Sequence, residues 1–173
     1  MIRAAALLEG AAALFLLGAA GAARAACGTP PAIARLWLAH HPGWRIVTLA
    51  DLNPDDQALW RRYEHGACPG ITIAHLDASL VPHVAIALVS TGSGPRRERF
   101  MLFHQRGVAP RQLTSMLLTN LGVLRRERPG RYEAFEGGAV QLRYDGITVE
   151  YLETSSQLFY LKAGRIESIW TSD

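Results

Sequence analysis

The chain is poor in features that name a function. Of its eighteen basic residues, seventeen are arginine and Lys162 is the only lysine, a bias that reads as coding composition rather than as a binding requirement. Cys27 and Cys68 are the only cysteines, so a single internal pairing is open to them. No uncharged apolar run approaches the ~20 residues that a membrane-spanning helix needs. Catalytic signatures are missing as well. Gly92-Ser93-Gly94 lacks the spacing of a nucleophile elbow, and there is no phosphate loop, no H-E-x-x-H pair and no dinucleotide fingerprint.

What is present begins with an address. Arg3 supplies a positive start, Ala11 to Ala20 an apolar stretch, and Ala23-Arg24-Ala25 a small-x-small cleavage site, which together describe a secretory signal peptide over residues 1–25. Glu9 interrupts the run from Ala4 to Ala23, leaving an apolar core of ~10 residues, too short for a retained anchor. Lipidation of Cys27 is the other option, but Arg24 stands where a lipoprotein junction carries an apolar residue. Cleavage leaves residues 26–173, about 148 residues, a single domain by length with enough chain to bury a core. A periplasmic or secreted location follows. Losing Arg3, Arg24 and Glu9 lowers the formal charge from +3 to about +2. The runs Arg96-Arg97-Glu98-Arg99 and Arg125-Arg126-Glu127-Arg128 each contain an acid, so a solvated face is expected and no nucleic-acid partner.

In an oxidising compartment Cys27 and Cys68 are expected to form a disulfide. It would close about forty residues and stabilise the fold by ~4 kcal/mol through loop entropy. A nucleophilic role for Cys68, in Cys68-Pro69-Gly70, has no flanking signature.

Local signals outline an α+β fold. Thr29-Pro30 reads as a helix start leading through Ile33, Leu36, Trp37 and His40 to a stop at Pro42-Gly43. Trp44 to Leu49 reads as a strand. Asn53-Pro54-Asp55-Asp56 reads as a second helix start, with Leu59, Trp60 and Tyr63 inward and Gly66 as its end. Strands are expected at Ile71 to Leu76, His83 to Ser90 and Glu98 to Gln105. Ala109-Pro110 followed by Leu113, Met116, Leu117 and Leu121 at helical spacing predicts an amphipathic helix up to Gly122. Asp145-Gly146 predicts a type I′ hairpin pairing Tyr144 with Ile147, Leu142 with Val149 and Val140 with Tyr151. Gln157 to Leu161 and Arg165 to Trp170, joined by Lys162-Ala163-Gly164, complete a C-terminal meander. The expected architecture is a mainly antiparallel sheet with two or three helices packed on it.

The stretch from Cys68-Pro69-Gly70-Ile71 to Leu88 resembles a single FG-GAP or VCBS-type unit, a strand entering a D-x-D-G-D-G-x-x-D loop and leaving as an apolar strand. On that pattern His75, Asp77, Ser79 and His83 occupy the acidic positions, and Ala78 and Leu80 replace the loop glycines. The resemblance implies a calcium loop and, in repeats, a propeller. Asp77 alone keeps a carboxylate, whereas calcium takes several oxygen ligands, and a single copy excludes a propeller. With this unit and its closing Ser172-Asp173 pair, the chain also resembles uncharacterised exported bacterial proteins.

The same residues suggest a different ion. In a simple hairpin His75 falls opposite His83 with Asp77 close by, and two imidazoles with a carboxylate are a ligand set for zinc or copper. His104, on the next strand, is within reach as a third imidazole. His40-His41 reads as a helix-end cap. Asp51 to Asp56 mimics the start of an EF-hand, but Asp56 replaces the required glycine and Arg62 the closing glutamate. Glu133 and Glu136 read as solvated edge residues rather than a glycosidase pair. The expectation from sequence is an exported binding or interaction protein without a catalytic site or cofactor, an accessory, inhibitor-like or immunity-like partner of an envelope protein. The alternative is a small metal-binding protein or metal-dependent hydrolase centred on His75, Asp77 and His83.

Overall fold

Among the described residues the chain runs through α1 (Ala32–His40), β1 (Trp44–Ile46), a 3-10 turn (Leu49–Asp51), α2 (Pro54–Tyr63), β2 (Ile71–Ala74), β3 (His83–Ser90), β4 (Glu98–His104), β5 (Arg111–Leu118), β6 (Val123–Glu127), β7 (Gly130–Glu133), β8 (Ala139–Leu142), β9 (Gly146–Tyr151), β10 (Ser155–Lys162) and β11 (Arg165–Thr171). The computed structural model describes residues 27–65, 67–104, 111–152 and 155–171. The expected leader, Gly66, Ala109-Pro110 and the terminal Ser172-Asp173 lie outside them.

β3 and β4 are apolar on both faces because both faces are covered. Side chains alternate across a strand, so Ala85, Ala87, Val89, Phe100 and Leu102 point one way, to Ile147, Val149 and Phe159. Val84, Ile86, Leu88, Met101 and Phe103 point the other way, to Ile33 and Ala34 of α1. The first sheet runs β1-β3-β4-β5, and β2 also pairs with β3; β1 and β2 share one edge of β3 end to end. The second sheet has the order β11-β10-β9-β6. The two sheets face each other, with Phe100 stacked on Phe159 at 4.6 Å between ring centroids. On the outer side of the second sheet the β7–β8 hairpin packs Tyr132 and Val140 against Leu142, Leu158 and Tyr160. All strand pairings are antiparallel, and no helix among the described residues is long and apolar enough to cross a membrane.

The expected disulfide is present. Cys27 and Cys68 are bridged across a sequence separation of 41, which ties the segment ahead of α1 to the entry of β2. The same bond occupies the Cys27 sulfur that a thioether lipid would need. α2 starts where its cap directs, since the Asn53 side chain accepts the Asp56 N–H at 2.9 Å. Trp60 is buried and its indole N–H donates to the Ala67 carbonyl at 2.9 Å. Tyr63, expected inward, is exposed. α1 begins at Ala32 after Pro31, with no side-chain cap, two residues later than Thr29-Pro30 suggested.

Two expectations are corrected. The segment predicted as a helix up to Gly122 contains β5, paired from Glu98↔Leu118 to His104↔Arg111. The edge of buried β4 leaves a row of backbone groups that need partners, and this need outweighs the helical spacing of the leucines. A bulge at Leu102/Phe103 leaves Leu113 as the extra residue, and Leu117 of the predicted stripe faces solvent.

The second correction concerns Asp145-Gly146. β8 pairs with β7, and β9 pairs with β10 and β6, so the predicted Leu142–Val149 and Val140–Tyr151 pairs do not form. Gly146 is the first residue of β9, where an added Cβ would meet Leu158 Cδ1 at 2.6 Å and Leu142 Cδ1 at 2.8 Å. Glycine is needed there for close packing, not for a turn. The positive-φ two-residue hairpin lies instead between β10 and β11, where Ala163 has φ 49° and Gly164 has φ 80°, the left-handed pair that a type I′ turn requires.

Candidate metal centre

The β3–β4 register decides which histidines meet. Seven residue pairs run from His83↔His104 to Val89↔Glu98, so both histidines stand at the same end of adjacent strands, on the same face. Their rings stack at 4.5 Å between centroids and 9° between planes. β2 ends opposite, with Ala74 paired to His83, and the chain turns through Asp77, Ala78, Ser79 and Leu80 before re-entering as β3. That turn is held by its own polar groups. The Asp77 Oδ1 accepts the Ser79 N–H at 2.8 Å, and the Ser79 hydroxyl donates to the Val81 carbonyl at 3.1 Å.

Asp77, His83 and His104 each offer a ligand atom, and these atoms all lie within 4.8 Å of one another. His83 is 1% exposed. Burial, followed by the His104 ring beside it, lowers its pKa below the usual imidazole value. Neutral imidazole is the form that binds metals. For Asp77 burial pulls upward, but the hydrogen bonds from Ser79 prevail and keep the carboxyl below its ordinary pKa. The Leu76 N–H reaches His83 Nδ1 at 3.4 Å, a long bond that yields easily to a metal–nitrogen bond. His104 Nε2 is buried and has no hydrogen-bond partner among the described residues, a costly arrangement for a nitrogen lone pair or N–H.

The expected triad was His75, Asp77 and His83. The structure brings Asp77 and His83 together and supplies His104 as the third donor. His75 stays exposed, its Nδ1 at 3.4 Å from the Ser79 carbonyl, and Ala74 rather than His75 faces His83 across the ladder. One signal for His104 lies in the sequence: His83 and His104 are placed symmetrically about the Ser93-Gly94 turn, so a regular hairpin pairs them. Asp145, assigned to a turn, is a buried anchor. Its carboxylate accepts the His75 N–H at 2.7 Å and pairs with Arg126 at 3.0 Å.

The other candidates have local roles. His41 Nδ1 lies 2.8 Å from the Trp37 carbonyl and its ring stacks on Trp37, a cap as expected. Asp51 pairs with Arg45, and Asn53 with Asp56, inside their own segment. Glu133 pairs with Arg131 at 2.9 Å, both exposed. In the basic runs Arg96 pairs with Glu98, Arg125 with Glu64 and Glu150, and Arg126 with Asp145, while Arg99 lies over the Trp44 ring.

Comparison with known families, with curated proteins and with solved structures gives no match. The chemistry of the cluster therefore carries the functional reading alone.

Proposed function

We propose that this protein is an exported metal-binding module that takes one divalent transition-metal ion between Asp77, His83 and His104 at the open end of the sandwich. The observation that carries this reading is the convergence of one carboxylate and two imidazoles within 4.8 Å, with His104 Nε2 left without a hydrogen-bond partner among the described residues. Two nitrogens and one oxygen suit zinc or copper and do not suit calcium, which prefers six or more oxygens. Bonds of about 2.0–2.1 Å at tetrahedral angles space donors about 3.3 Å apart. Uptake therefore draws the side chains inward by up to about 1.5 Å and opens the His83–His104 stack. The compartment follows from the leader and agrees with the Cys27–Cys68 bridge.

The test is calorimetric titration of the oxidised mature protein with Zn²⁺ and Cu²⁺. One equivalent is expected to bind, and binding is expected to disappear in both His83→Ala and His104→Ala. A folded wild-type protein that takes up neither ion overturns the reading, as does binding that survives both substitutions.

A further inference from the structure

Three protein donors leave one position of a tetrahedral ion open, and a third imidazole, that of His75, lies two residues before Asp77 against the same turn. The backbone of His75 is fixed on both sides. Its N–H donates to Asp145 Oδ2 at 2.7 Å, and its carbonyl accepts the Asp145 N–H at 2.9 Å. Asp145 is itself held by Arg126, so the Cα of His75 is a firm pivot. The ring is not fixed. It is exposed, and its single hydrogen bond among the described residues is the long 3.4 Å contact to the Ser79 carbonyl. Ser79 is also the residue whose N–H holds Asp77. The His75 ring and the Asp77 carboxylate thus lie against the two ends of one residue, in the turn that leads into His83.

Resting on the metal reading above, we propose that His75 is the fourth ligand. On metal uptake its ring leaves the Ser79 carbonyl, turns about its side-chain torsions and closes the ion into a three-histidine, one-aspartate set. The cost is one exposed hydrogen bond, small against a metal–nitrogen bond in a site shielded by β3 and β4. A closed four-ligand sphere has no position for an activated water, so the module holds or delivers its ion instead of using it for hydrolysis. The fixed backbone and loose ring also separate fold from function, because the side chain can be removed without disturbing the Asp145 anchor.

X-ray absorption on the Zn²⁺-loaded full-length mature protein, together with Zn²⁺ titration of wild type and His75→Ala, tests this. Three imidazoles around zinc in wild type, two in His75→Ala, and at least a tenfold weaker Kd in the variant are expected. Two imidazoles in both proteins with equal affinity overturns the role of His75 while leaving the three-donor site standing. A folded wild type that binds no zinc removes both readings. Circular dichroism of His75→Ala matching wild type shows that any loss comes from the ligand and not from the fold.

Discussion

β3 and β4 run side by side between two polar ends, and the ends are treated differently. At the Glu98 end the chain supplies its own counter-charges. Arg45 forms a paired contact with Asp51, Arg96 reaches Glu98 at 2.9 Å and Asp51 at 3.9 Å, and Asp51 also accepts the Thr48 N–H at 2.8 Å. Burial raises the Asp51 pKa, but Arg45 and Thr48 outweigh it and leave the carboxyl below its usual value. At the His83 end no arginine or lysine among the described residues is paired with the donors, and a buried ring nitrogen has no hydrogen-bond partner among them. The same two strands therefore carry an ion-paired network at one end, in which Glu98 Oε2 and Arg99 Nε are still buried without a hydrogen-bond partner among the described residues, and a carboxylate with two imidazoles at the other. A buried polar group costs stability unless something satisfies it, and under the proposed function it is the second end, with three potential ligand atoms within 4.8 Å of one another, that takes a group from outside the chain.

The sharpest break of this contrast removes what both ends share. Phe100 is fully buried at the sheet interface, so Phe100→Ala is expected to cost about 3–5 kcal/mol in urea unfolding, while the folded fraction keeps its metal stoichiometry. A second test isolates the ion-paired end. Asp51→Asn removes a carboxylate with several charged hydrogen bonds and is expected to cost about 1–2 kcal/mol at pH 7. Because the folded-state pKa of Asp51 lies below its ordinary 3.8, this contribution is present above that value and is lost as pH falls through the folded pKa. Denaturant midpoints of wild type and variant should therefore converge below about pH 3.8, without change in neutral-pH metal affinity. The smallest stability effect is expected at the other end. His104→Phe keeps a ring against His83 and deletes the partnerless nitrogen, so stability should shift by less than about 1 kcal/mol, yet zinc binding should vanish. A loss of several kcal/mol there would mean that the nitrogen serves the fold.

Particular residues show how far the sequence could be read. Asn53 announced its helix because capping is a contact between near neighbours, and Cys27–Cys68 was the single pairing open to two cysteines. Strands over β3 and β4 followed from short apolar runs between turn signals. Asp145-Gly146 misled because one dipeptide satisfied two remote demands, a clamp on the His75 backbone and close contact with Leu142 and Leu158, while the left-handed turn went to Ala163-Gly164. The helical stripe through Leu113, Met116 and Leu117 yielded to the unpaired edge of β4. For the site, Asp77 and His83 were visible as neighbours of one loop, whereas His104 needed the hairpin register.

The sequence by itself determined the local events: the α2 cap, the strand-forming runs, the turn around Asp77 and the disulfide partners. These depend on groups a few residues apart or on a choice with one outcome. Only the tertiary structure decided that residues 111–118 extend as a strand, that Asp145 anchors His75, and that His83 meets His104 while His75 stands aside. Each of these is set by which backbone edge needed a partner and which side chains were close enough to clash or bond, quantities that belong to the packed sheets and not to any stretch of chain.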